Sequence, residues 1–191
     1  KNKEFYPIPR DRDQPFFINN GVIPRVISWS WLLPKFQGFR VKARNINTFN
    51  FNARYFDRSF LNNLNEAAWS AAIDSFLPKM SDDVINTALS RQPVEIRDFH
   101  GDFIANTLKE RRKIFRDEML QYYHFLEKEV DVLGSDKREF FHVVRNDDAS
   151  VRVTVTKINK EGLLSDLLYD RVFFHRATDV LRLWALGGAD S

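Results

Sequence analysis

The sequence predicts an α+β fold, in which a region of three to four helices precedes a small antiparallel β-meander. Apolar residues recur at helical spacing from residue 57 to about 130. After Gly134 the spacing changes to an alternation with a period of two, typical of strands. Five of the seven prolines fall within the first 55 residues, which favours extended or turn geometry there.

These changes of character divide the sequence into three regions. Residues 1–55 form a basic segment rich in proline and aromatic residues, which we expect to pack on the helices. Residues 56–133 are helical, and residues 134–191 form an antiparallel β region. The last region stops directly after an apolar run, so we interpret it as truncated and the chain as a piece of a longer protein.

Composition excludes several classes of protein. At 191 residues with 43% hydrophobic residues, the chain is long enough to bury a core. It contains no cysteine, which excludes disulfides, thiolate metal sites and cysteine nucleophiles. No run approaches the ~20 apolar residues that a membrane-spanning helix needs, so we expect the chain to be soluble.

Four helices can be placed from capping residues and apolar spacing. Asp57 is expected to cap a short helix, and Asn65 to open a second one that Pro78 ends. Residues 81–83 are expected to cap a third helix. The longest helix is predicted from roughly Gly101 to Val130.

Four strands are predicted after Gly134, in a meander. Residues 139–158 indicate a hairpin around the turn at 146–148, and residues 159–162 form a second turn. Two further strand candidates follow, within 163–174 and 179–186. Earlier in the chain, residues 45–52 alternate asparagine with apolar residues, which fits a half-buried strand or a loop whose side chains bond their own backbone.

Charge is distributed unevenly along the chain. Residues 1–60 hold eleven Lys and Arg against four Asp and Glu, a balance of +7, whereas the remainder carries −4. The basic third could attract phosphates or anionic lipid, or it could be a solvated face beside an acidic region. Together with the neighbouring aromatic run it is a candidate surface for anionic envelope lipid or glycan, and we expect no nucleic-acid partner. The residues of this candidate surface are Trp29, Trp31, Arg40, Lys42 and Arg44.

The stretch YPIPRDRDQPFF, residues 6–17, alternates carboxylates with guanidinium groups. In an extended strand Asp11 and Asp13 leave one face, while Arg10 and Arg12 leave the other. Two carboxylates on one face suit Mg²⁺, and the arginines could then bind phosphate. Alternatively, each aspartate pairs with a neighbouring arginine or caps a turn.

Other catalytic patterns are missing from the sequence. The four histidines are scattered without the spacing of a zinc site, and there is no Gly-x-Ser-x-Gly elbow or glycine-rich phosphate loop. We therefore assign no catalytic residue and expect no cofactor; Mg²⁺ would bind only on the alternative in which Asp11 and Asp13 hold a metal.

Several blocks together resemble one family: IPRDRDQPFF, FNARYFDRSFLNNL, KEVDVLGSDKREFF, and VTVTKINKEG followed by LWALGGAD. They are similar to the soluble connecting region of bacterial envelope proteins that join a calcineurin-like metallophosphoesterase to a surface-antigen type outer-membrane β-barrel. The resemblance implies a place in the cell envelope, with the barrel and phosphoesterase domains as covalently attached partners. Because neither the phosphoesterase ligands nor the barrel strands occur in this chain, the expected role is a non-catalytic structural or interaction module.

The first of these blocks also resembles the metal-binding strand of atypical kinases of the spore-coat protein H type. That similarity implies that Asp11 or Asp13 holds Mg²⁺ and that Arg10 or Arg12 faces phosphate. The catalytic loop of such a kinase would lie upstream of Lys1. On this alternative the chain is the C-terminal part of a phosphoryl-transfer domain and is inactive by itself.

Overall fold

The computed structural model describes residues 15–18, 21–29, 31–33, 36–147 and 149–188. Among them lie six α-helices and five strands. The helices are α1 (Val22–Ile27), α2 (Ile46–Phe49), α3 (Arg54–Phe60), α4 (Glu66–Phe76), α5 (Asp82–Ser90) and α6 (Val94–Leu126). The strands are β1 (Glu129–Leu133), β2 (Glu139–Arg145), β3 (Ser150–Ile158), β4 (Leu164–Phe174) and β5 (Val180–Trp184). The predicted α+β class, with helices followed by an antiparallel meander, is confirmed.

The described residues form two compact units. Unit 1 comprises the described residues up to Phe49 together with Asp82–Arg111, and unit 2 comprises Asn50–Ser81 and the described residues from Arg112 onward. Helix α6 therefore contributes residues to both units. The predicted regions, 1–55, 56–133 and 134–191, were drawn from local sequence character, and that division stays a prediction.

In unit 1, short helical segments surround a few buried aliphatic side chains. Helix α1 follows Gly21, whose φ of 115° suits a residue without a Cβ. It ends at Ser28, which is buried and whose hydroxyl donates to the Arg25 carbonyl at 3.1 Å. Phe39 lies edge-on to Phe103, with ring centroids 6.1 Å apart. The buried aliphatic residues of unit 1 are Ile46, Ile85, Leu89 and Ile104.

The asparagine-rich segment is helical, not extended. The Asn45 side-chain oxygen accepts the backbone N–H groups of Asn47, at 3.1 Å, and of Thr48, at 3.4 Å. These bonds satisfy donors at the start of α2, so Asn45 acts as a helix cap. The strand interpretation of residues 45–52 was wrong, because asparagine bonding to its own backbone favoured a turn of helix over a strand.

One of the two predicted helix caps in unit 2 is confirmed. Asn65 caps α4, and its side-chain oxygen accepts the Ala68 N–H at 2.9 Å, as predicted. Helix α3 begins at Arg54, a turn earlier than the predicted cap Asp57, whose carboxylate accepts the Tyr122 hydroxyl at 2.7 Å instead. This bond links α3 to α6.

Helix α6 begins earlier and ends earlier than predicted. The Pro93 carbonyl accepts the Arg97 N–H at 3.0 Å, which starts the helix ahead of Gly101. Gly101 is accommodated inside the helix, although glycine has a low helix propensity. The predicted C-terminal end of the helix belongs instead to strand β1, Glu129–Leu133.

The sheet differs from the predicted four-stranded meander in its last strand. Strands β2, β3 and β4 form the antiparallel meander, but β5 pairs in parallel with β1. Val130 lies opposite Leu181 in this pair. Prediction missed the pairing because β1 and β5 are far apart in sequence, whereas hairpins are specified by their local turns.

The core of unit 2 joins the parallel pair to the meander. It contains Val130 and Val132 of β1, Val153 and Val155 of β3, and Phe173 of β4, all at most 5% exposed. Beside this core, Glu139 is buried, and its carboxylate accepts the Ser135 N–H at 2.8 Å and the Ser135 hydroxyl at 2.6 Å. No helix of the described residues is long and apolar enough to cross a membrane.

Candidate functional site

The predicted metal and phosphate residues, Arg10, Asp11, Arg12 and Asp13, lie outside the described residues. Their roles therefore stay predictions. Within the described ranges, no group of three or more His, Asp or Glu side chains is arranged to hold a metal ion.

The residues of the predicted partner surface lie in unit 1. Hydrogen bonds join one of its basic residues, Arg44, to the end of α1, next to the tryptophans. Trp29 and Trp31 have ring centroids 6.1 Å apart. Arg44 donates from its guanidinium to the Ser28 hydroxyl at 2.9 Å and to the Arg25 carbonyl at 3.3 Å. The backbone N–H of Arg44 donates to the Gln37 side-chain oxygen at 2.8 Å. The bonds to Ser28 and Arg25 hold Arg44 beside the C-terminal end of α1.

Large apolar side chains are exposed in the same segment of the chain as the two tryptophans. Trp31 is 70% exposed, and Val22 and Ile23 of α1 are 77% and 72% exposed. Exposed aliphatic and aromatic side chains that form a group mark an interaction surface more often than a solvated one. We name this group, with its cations, the aromatic–basic surface. Its residues are Val22, Ile23, Arg25, Trp29, Trp31, Leu32, Leu33, Arg40, Lys42 and Arg44.

No acid lies close in the sequence to the cations of this surface. The sequence contains no Asp or Glu between Asp13 and Asp57. Burial, followed by repulsion from Arg44 and Arg25, lowers the pKa of Arg40 below its usual value. Like charges held together without counter-charges destabilise the free protein and favour an anionic partner.

Sequence reasoning missed five members of the surface, Val22, Ile23, Arg25, Leu32 and Leu33. The available signal was the dense apolar run GVIPRVISWSWLLPKFQGF, which indicated either burial or binding. Exposure decides between the two, and it depends on whether other residues cover the run. Hydrophobic pattern alone does not contain that information.

Unit 2 holds a second group of charged residues, of which the two arginines are buried. Arg58 lies 3.5 Å from Glu129, and Arg171 lies 4.0 Å from Glu127. Arg171 also donates to the Tyr123 hydroxyl at 3.2 Å. Both arginines line a small cavity of about 20 Å³, which has room for a water molecule but not for an organic ligand.

A larger cleft of unit 2, of about 520 Å³, opens on the other side of Arg171. The start of α4, the end of α6 and the turn after β4 form its walls. The residues that line it include Glu66, Ala67, Lys128, Phe174, Arg176 and Thr178. Sequence reasoning did not find this site, because its residues come from three separate segments.

Two histidines of unit 2 contact residues close to them in the sequence. His124 pairs with Glu127, its Nδ1 lying 2.7 Å from the carboxylate, and His142 stacks on Phe140 at 5.8 Å.

Comparison with known proteins adds no assignment. No protein-family model, no curated protein and no solved structure matches the chain.

Proposed function

We propose that the chain is a non-catalytic interaction module of a multidomain cell-envelope protein, and that it binds the surface of an anionic lipid bilayer. The observation that carries the proposal is the aromatic–basic surface, where exposed apolar side chains and cations belong to a sequence segment that contains no carboxylate. The attached barrel and phosphoesterase domains implied by the resemblance belong to this proposal as covalent partners.

Both the apolar residues and the cations of the aromatic–basic surface suit a bilayer interface. Tryptophan prefers the headgroup region, and aliphatic side chains such as Val22 and Ile23 gain free energy when the acyl boundary covers them. Lysine and arginine near an anionic leaflet contribute about 1 kcal/mol each. An anionic glycan would use the cations but would leave the aliphatic side chains in water, so lipid is the better partner.

Cosedimentation with vesicles tests the proposal. We expect the protein to bind phosphatidylglycerol-containing vesicles and to bind pure phosphatidylcholine vesicles much more weakly. Binding should fall as salt rises, because salt screens the attraction between the cations and the lipid. Equal binding to both kinds of vesicle, or no binding to either, would contradict the proposal.

Matched variants separate the surface from general charge. Arg25→Gln with Lys42→Gln removes two exposed cations of the surface, which should weaken binding roughly 30-fold at about 1 kcal/mol per cation. Arg91→Gln with Lys160→Gln removes two exposed cations elsewhere and should change binding little. Similar losses in both double variants would indicate non-specific attraction.

An aromatic control is available in the same unit. Trp31→Ala should reduce binding, because it removes an aromatic ring from the apolar part of the surface. Phe99→Ala removes a ring that is 83% exposed but lies among Glu95, Asp98 and Asp102 in the sequence. We expect this control to bind like the parent protein.

The kinase-like alternative makes a different prediction. If Asp11 and Asp13 hold Mg²⁺ with nucleotide phosphates, Mg²⁺ with ATP should raise the melting temperature, since a ligand of the folded state stabilises it. Asp11→Asn and Asp13→Asn should each abolish the increase. That result would favour a phosphoryl-transfer domain over a non-catalytic module, whereas an unchanged melting temperature would count against the alternative.

A further inference from the structure

We propose that the 520 Å³ cleft of unit 2 binds a small organic oxyanion, either a carboxylate or a phosphate monoester, that carries an apolar group. This inference is independent of the proposed membrane contact. It concerns a different unit, other residues and a soluble ligand.

The charges at the cleft favour an anion. Lys128 and Arg176 are exposed cations on its wall, and Arg171 is a buried cation in it. Of the two acids there, Glu127 is already engaged by His124 and Arg171. Glu66 is exposed to solvent, as Lys128 and Arg176 are, so the three cations still outnumber the two acids.

Backbone donors at the start of α4 point to the same ligand chemistry. The first-turn N–H groups of a helix have no acceptor within the helix, and the helix dipole favours negative charge there. Asn65 caps only the Ala68 N–H by its side chain, and α4 is eleven residues long. Glu66 and Ala67, which belong to the first turn, line the cleft.

Arg171 provides an independent indication. Its relative exposure is 9%, and its Nε has no hydrogen-bond partner among the described residues. Its two terminal nitrogens are held by the Asn62 carbonyl and the Tyr123 hydroxyl. Because the Nε atom is itself enclosed, Arg171 acts on a ligand in the cleft through its positive charge and not through a hydrogen bond.

The remaining wall is apolar and aromatic. The Arg176 guanidinium lies 5.7 Å from the ring centroid of Phe174, and Val172 lines the cleft beside it. A cation held over an aromatic ring can bind a negative group while the ring contacts an apolar body. Inorganic phosphate satisfies only the first of these contacts, so an organic anion should bind more tightly.

Titrations followed by backbone amide NMR test the inference, with phenyl phosphate, benzoate and inorganic phosphate as probes. We expect saturable shifts at Glu66, Ala67 and Thr178, and at least tenfold tighter binding of one organic anion than of inorganic phosphate. The tighter binder of phenyl phosphate and benzoate shows whether the cleft prefers a phosphate or a carboxylate. No saturable shift with any probe, or shifts confined to other residues, would overturn the inference.

Two double variants complete the test. Lys128→Gln with Arg176→Gln should weaken the tighter organic anion at least tenfold, while dispersed amide signals show that the protein is still folded. Lys137→Gln with Lys160→Gln removes the same charge from exposed positions that do not line the cleft, and should bind as the parent does. An equal loss in both double variants would overturn the inference.

Discussion

The arginines of the two units differ in their surroundings. In unit 2, Arg58 and Arg171 are buried, and each lies within 4.0 Å of a glutamate. In unit 1, Arg40 and Arg44 lie near one another, in a sequence segment that contains no acid. The position of the acids, rather than the number of arginines, therefore decides whether an arginine forms an ion pair within the fold.

Aromatic residues show the same contrast. Phe173 is 5% exposed within the core of unit 2, whereas Trp31 is 70% exposed in unit 1. Burial of a large side chain stabilises a fold by roughly 1.5–3 kcal/mol, and an exposed ring leaves that free energy for binding. The comparison predicts which substitutions change stability and which change binding.

The largest expected effect is on the core of unit 2. Phe173→Ala should lower the free energy of unfolding by about 3–5 kcal/mol, because it removes a buried ring and leaves a cavity. Phe174→Ala, at the next position but 47% exposed, is the matched control and should cost less than about 1 kcal/mol. Denaturant titration measures both, and equal losses would contradict the assignment of the core.

The arginines should differ in the same way between the units. Arg171→Gln should cost about 3 kcal/mol, because it leaves Glu127 without its buried partner. Arg40→Gln should be neutral or slightly stabilising, because it relieves repulsion from Arg44 and Arg25. A destabilising Arg40→Gln would show that this cation supports the fold.

A smaller effect is expected at Gly134, where the chain passes close to its neighbours. A Cβ there would lie 2.5 Å from the Glu139 carboxylate and 2.9 Å from the Phe141 ring. Gly134→Ala should therefore cost about 1–3 kcal/mol in thermal or denaturant unfolding. Gly162→Asn is the control, because nothing lies near its Cβ position and asparagine tolerates its φ of 81°.

The smallest effect is expected at alkaline pH. Burial raises the pKa of Tyr169 to about 12, and its hydroxyl donates to the Asn62 carbonyl at 3.0 Å. The unfolded phenol loses its proton near pH 10, so this stability is present below about pH 10 and is lost as pH rises through about 12. Tyr169→Phe should flatten the decline of unfolding free energy over that range, and an unchanged slope would contradict the shift.

Sequence alone predicted the features that depend on local signals. Asn65 was identified as a helix cap, and the β2–β3 and β3–β4 hairpins followed from their turns. The parallel pairing of β1 with β5 was missed, since it joins residues about fifty positions apart. The early start of α6 was missed because Gly101 was interpreted as the start of the helix.

Whether a candidate site could be predicted also depended on how close its residues are in the sequence. Trp29, Trp31, Arg40, Lys42 and Arg44 could be grouped from composition, because they are close in sequence. The cleft could not be predicted from the sequence, because separate segments of the chain contribute Lys128 and Arg176 to it. Asp11 and Asp13 lie outside the described residues, so their role still depends on sequence.

Membrane contact by the aromatic–basic surface is tested most directly by fluorescence quenching with brominated lipids. The chain contains four tryptophans, of which Trp29 and Trp31 lie in unit 1, and Trp69 and Trp184 in unit 2. We predict that brominated phosphatidylglycerol vesicles quench the parent protein, and that Trp29→Phe with Trp31→Phe abolishes the quenching. Quenching that persists in the double variant, or none in the parent protein, would contradict the proposed contact.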